Sequence, residues 1–183
     1  MGRLVLPISA ILGPGMRLWY LISVWTHLLA AAVWIGSMVY LGLVLVPVLR
    51  ERDFEHVRTR LLYRTGLRFR WAGWGAISVL VGTGIANVGF RGFDWPAFWS
   101  GALWHGAWGH VLGIKLLLVT LVLVLSAVHD FYLGPRATRL LEADPESPEA
   151  RSVRRLASWI GRIMLLLSLL ILWLAILLVR GVR

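Results

Sequence analysis

A chain of 183 residues that is 58% hydrophobic, 15% charged and +0.75 in mean hydropathy carries too little polar surface for a soluble domain. The absence of cysteine excludes disulfides, thiolate metal sites and cysteine nucleophiles. A net charge of +10 does not point to nucleic acid, because the basic residues flank apolar runs, where they orient a membrane protein.

Four apolar stretches, 18–49, 71–90, 108–133 and 157–179, each reach the about 20 residues that cross a hydrocarbon layer of about 30 Å. The alternating segments of a membrane barrel are absent, so the expected fold is an all-α membrane protein. It is read as one domain over 1–183, an antiparallel four-transmembrane-helix bundle with a short interfacial helix on the outer side. The first run is far longer than the apolar core of a signal peptide and reads as a retained anchor.

In the first span, "YLISVWTHLLAAAVWIGSMVY" sets His27 about two turns inside the apolar run. An ionisable group at that depth is costly and marks a functional position, against the plainer reading of a core histidine bonded to a carbonyl. Ala30, Ala31, Ala32, Gly36 and Ser37 follow as a small-residue run. The next segment, "ERDFEHVRTRLLYRTGLRFR", spaces Phe54, Val57, Leu61 and Leu62 among arginines, as in a helix lying on an anionic leaflet, and His56 is read as part of that anchoring. On the second span Gly75, Gly82, Ala86 and Gly89 form a smooth stripe suited to close packing.

The stretch "FDWPAFWSGALWHGAWGH" (93–110) reads as an interfacial helix capped by Asp94, with Pro96 in its first turn and Trp95, Phe98, Trp99, Ala102 and Leu103 on one face. Trp104 and Trp108 continue this aromatic belt, and the whole is expected to form a lid over the outer end of the bundle. His105 and His110 are read as interfacial hydrogen-bonding groups or secondary ligands. The third span carries Lys115, the single lysine of the chain, and His129, which share a face with Val122 and Ser126. His110 is rotated away by about 140°, and a snorkelling ammonium is the plain reading of Lys115. "EADPESPEA" reads as a flexible connector, and the fourth span beyond Arg162 as scaffold.

Arginines gather between the first and second spans and between the third and fourth. Both loops are therefore expected in the cytoplasm and both termini outside, in a multi-pass protein of the plasma (inner) membrane. His27 and Lys115 then lie at a similar depth, about 10 Å below the outer edge, with His129 about 20 Å deeper, near Arg70 and Arg162.

Histidines on facing helices suit haem b, with arginines near the surface for its propionates. The expected function is a haem-b-binding protein of electron transfer or a haem-linked redox step. His27 is the favoured axial ligand, His129, Lys115 or His110 its partner, and Arg17, Arg91, Arg70 and Arg162 are available to propionates. The alternative is copper transport or resistance using His27, Met38, His105 and His110, since imidazole also suits copper. An enzyme that binds a substrate carboxylate through Lys115 and a cofactor-less assembly subunit stay open, as do the redox or metal-delivery partner and a homo-oligomer. No catalytic residue is assigned.

"HLLAAAVWIGSMVYLGLVLVPVLR" (27–50), with His27, Trp34, Gly36 and Pro47, resembles the first helix of copper resistance protein D (CopD)-like membrane domains. "GHVLGIKLLLVTLVLVLSAVHDFYLGPRA" (109–137) resembles their lysine-bearing helix. The same skeleton is distantly similar to HemJ-type protoporphyrinogen oxidases. That likeness implies haem b and gives weight to His27 and Lys115, whereas the CopD likeness implies copper.

Overall fold

A computed structural model describes residues 13–92, 95–144 and 147–181. The described chain is all-α. Four long apolar helices dominate it: α1 (Pro14–Val48), α2 (Arg58–Gly89), α4 (from Gly106 through Leu141 to Ala143) and α5 (Pro148–Arg180). A one-turn helix, α3 (Trp95–Trp99), precedes α4. At about 1.5 Å per residue, the shortest of the four, 32 residues long, runs about 48 Å and exceeds the hydrocarbon thickness.

The extra length corrects the expected boundaries. α2 begins at Arg58, so most of the arginine segment, from Arg58 to Arg70, is the shaft of α2 rather than a separate surface helix, and only a short 3-10 turn at Arg52–Phe54 precedes it. Arg58 Nε donates to Leu49 O, and its Nη2 donates to Arg50 O at 3.2 Å, satisfying the first carbonyls beyond the end of α1. α4 likewise runs past residue 133, and the expected flexible connector shrinks to a few residues. Ser147 ends it by accepting a bond from Ala150 N at 3.2 Å, with Pro148 in the first turn of α5.

α1 and α4 each widen once, over Leu41–Leu45 and Val128–Leu133. Each wide turn lies just before a proline, Pro47 or Pro135. A proline lacks the N–H for the usual bond and crowds the carbonyl four residues back, here Leu43 or Phe131. Lengthened bonding over these turns absorbs the clash without ending the helix.

The interfacial ledge differs from the single helix expected over 95–103. Gly101 at φ +84° ends the first turn, a tight turn spans Ala102–Trp104, and Gly106 at φ +79° opens α4. Both glycines occupy a backbone region that side chains avoid, so the amphipathic face breaks in two. Leu103 is buried while Trp99 is 78% exposed. Asp94, the expected cap, and the Trp95 side chain lie outside what is described.

The chain forms two compact units, one drawn from described residues within 1–34 and 73–103, the other from 35–72 and 104–183. In the first, α1 and α2 run antiparallel. Tyr20 meets Phe90 edge-on at 5.8 Å; a Cβ on Gly84 would stand 3.6 Å from His27 Cε1, and one on Gly73 3.7 Å from Trp34 Nε1. Close approach therefore falls at Gly73 and Gly84. At Gly75, Gly82 and Gly89 of the expected stripe an added Cβ would have no neighbour within 4 Å.

In the second unit α4 and α5 run antiparallel. Trp108 Nε1 donates to Leu178 O at 3.2 Å, Ser126 Oγ to Met164 Sδ at 3.4 Å and Arg136 Nη2 to Glu149 Oε1 at 2.7 Å. Ala150, Val153, Met164, Ser168, Leu174 and Leu178 line the buried side of α5. The small side chains Ser126 and Ser168 let the backbones approach, the usual basis of helix packing in lipid. Large apolar side chains such as Leu117, Leu166 and Val179 stay exposed, and the protein associates with the bilayer through them.

Candidate functional site

The most developed polar cluster lies in the first unit, between α1 and α2. His27 is half-buried, with Nδ1 2.7 Å from Thr83 Oγ1. Thr83 Oγ1 lies 2.6 Å from Val79 O, a separation between two oxygens that requires a proton, so the hydroxyl donates to its own helix. Its lone pair then accepts from His27 Nδ1–H. This network assigns the Nδ1–H tautomer and leaves the imidazole lone pair on Nε2.

Ser23, one turn before His27, donates from Oγ to Thr83 O at 3.5 Å. Asn87, one turn beyond Thr83 on the same face of α2, has a buried Oδ1 without a hydrogen-bond partner among the described residues. The strip of Ser23, His27, Thr83 and Asn87 is bounded by the Tyr20–Phe90 pair at one end and by Trp34 on Gly73 at the other. In this antiparallel register Arg17, exposed, and Arg91, half-buried, fall at the Tyr20–Phe90 end.

An imidazole whose Nδ1–H is held by an oxygen while Nε2 carries the lone pair is the arrangement that metal-ligating histidines need. Thr83, from the neighbouring helix, fixes both tautomer and ring orientation. At Nδ1 the partner of His27 is thus a side-chain hydroxyl of the neighbouring helix.

The remaining predicted residues belong to the second unit. Lys115 is half-buried on α4; Val122 and Ser126, predicted to share its face, are 3% and 5% exposed and pack against α5. His110 is exposed in a shallow groove with Trp104, Gly109, Gly113, Ile114 and Leu117, and the Trp104 ring lies 3.7 Å from a Cβ on Gly113. His105 occupies the cap position of α4 without capping it through its side chain. His129 Nδ1 lies 3.0 Å from Asp130 Oδ1 on the wide turn of α4. Arg162 sets its guanidinium carbon 5.3 Å from the Trp159 ring of its own helix, and Met164 is engaged by Ser126.

Among the described residues no three histidine, cysteine or carboxylate side chains gather as a metal-holding group. The sequence reading missed Thr83 and Asn87. Their signal was present in "VLVGTGIANVGF" (79–90), where two polar side chains four residues apart interrupt an apolar span. Asp130 was missed as the partner of His129, although the two are adjacent.

A family model described as Copper resistance protein D matches residues 63–178, well over half of the chain. The match takes in Thr83, Asn87, Lys115 and His129, while His27 lies before it. A chain of Aquifex aeolicus (strain VF5), described as an uncharacterized protein, is 26% identical over 151 residues, covering 82% of this chain and 88% of its own. No solved structure matches.

Proposed function

The chain belongs to the copper resistance protein D family, and on that premise we propose that it moves copper ions through the membrane, with His27 as the residue that receives the ion. The observation that carries this reading is the bond from His27 Nδ1–H to Thr83, which leaves Nε2 as the donor atom. Imidazole is a good copper ligand, and neutral ligation avoids placing a carboxylate in the span. Copper is cargo here, and a small ligand set suits it: a site that passes an ion must bind it well enough to accept it and weakly enough to release it.

Asn87 Oδ1, buried without a donor among the described residues, accepts a hydrogen bond from water that the ion retains. The orientation proposed from the arginine distribution sets the Tyr20–Phe90 end of the strip outside a plasma membrane and the arginine-rich loops in the cytoplasm. Haem b, which the histidines first invite, has nothing in the family match behind it, and copper takes its place.

Equilibrating the purified protein with copper and recording its metal content and visible spectrum tests this reading. Stoichiometric copper and no Soret band are expected. A Soret band without bound copper would overturn it in favour of haem.

A further inference from the structure

At the far end of α4 the second unit assembles a basic, aromatic groove that copper handling does not use. Phe131, Tyr132 and Leu140 form its apolar wall, and Arg136 and Arg139 its charged rim. Arg70, from α2, lays its guanidinium carbon 5.6 Å from the centre of the Phe131 ring, and its Nε is buried with no hydrogen-bond partner among the described residues. Its Nη2 would lie in ordinary contact, 3.5 Å, with a Cβ on Gly134, which places this guanidinium beside α4.

Among the described residues the charges around the groove do not cancel. Glu149 is paired with Arg136 at 2.7 Å, and Asp130 with His129 at 3.0 Å. Arg136 also donates to Tyr132 Oη, and Arg139 Nε donates to Pro135 O at 3.4 Å. Among the described residues, no carboxylate pairs with Arg70 or Arg139.

Position adds a second constraint. Phe131 and Tyr132 lie where the apolar run of α4 ends, and Arg139 follows about 12 Å along the axis, a span that leads from hydrocarbon edge to headgroup layer. We infer that this groove binds one anionic phospholipid, its phosphate held by Arg139 at the rim and its upper acyl chain lying against Phe131, whose ring Arg70 backs, and Tyr132. Arginine suits the phosphate because its planar donors match paired oxygens, and a basic site at this depth meets a lipid before any soluble anion.

Native mass spectrometry of protein released from nanodiscs of phosphatidylcholine mixed equally with phosphatidylglycerol tests the site. Wild type is expected to retain one phosphatidylglycerol in preference to phosphatidylcholine. Arg139→Gln, an exposed position, is expected to lower that retention about fivefold, and Arg70→Gln, which touches only the ring behind the acyl chain, by less. Arg154→Gln, exposed on α5 and absent from the groove lining, is expected to change nothing. Equal retention of the two lipids, equal losses in Arg139→Gln and Arg154→Gln, or displacement of phosphatidylglycerol by inorganic phosphate would each overturn the proposal. A circular-dichroism spectrum of each variant shows whether a loss reflects binding or folding.

Discussion

His27→Ala is expected to reduce copper flux into proteoliposomes to the level of protein-free vesicles. The substitution removes the one nitrogen donor of the strip, and Ser23, Thr83 and Asn87 offer only oxygen, which suits harder cations. Thr83→Val is the sharper probe. It keeps side-chain shape and removes the acceptor that holds His27 Nδ1–H at 2.7 Å. Loss of such a supporting contact typically lowers metal affinity about 10- to 100-fold, so copper affinity should fall by that factor while the helices stay packed. Thr83→Ser should restore most of it, because the hydroxyl can again donate to Val79 O and accept from the ring. Equal copper affinity in wild type and Thr83→Val would show that the tautomer is not set by this bond.

The second large effect concerns stability. Ser168 is 2% exposed, and its hydroxyl donates to Met164 O of its own helix at 2.6 Å. Met164 in turn accepts from Ser126 of α4 at 3.4 Å. Ser168→Leu forces an isobutyl group into this contact, and overpacking of this kind costs about 1–3 kcal/mol. Ser168→Ala leaves no buried carbonyl orphaned, since Met164 O keeps its helical bond, and should be close to neutral. Thermal unfolding in detergent should therefore separate the two variants, with leucine well below wild type and alanine beside it. A leucine variant as stable as wild type would mean that α4 and α5 do not pack through Ser126 and Ser168.

The spans were legible because the bilayer demands long apolar helices with internally satisfied backbones, and hydropathy reads that demand directly. Helix ends were less so. Pro47 and Pro135 are each absorbed by a widened turn, an adjustment that depends on the carbonyl behind the proline and that hydropathy does not register. Gly101 and Gly106 acted the other way, cutting an amphipathic pattern that periodicity alone makes continuous.

His27 was visible from its depth in an apolar run, but the partner that orients it was not. Periodicity places His27 and Thr83 on separate helices, and only the antiparallel register of α1 and α2 brings them together. The same register makes Gly73 and Gly84, rather than Gly75, Gly82 and Gly89, the points of close approach. The arginines near His129 were read as propionate partners. Arg70 instead stacks on Phe131 and leads to the lipid groove.

X-ray absorption at the copper edge, on protein loaded with copper, tests the central claim most directly. Wild type should show imidazole scattering around the metal, and His27→Ala should lose it while His105→Ala and His110→Ala retain it. An imidazole signal that survives His27→Ala and disappears with His105 or His110 would contradict the account and move the copper site to the tryptophan-rich end of α4.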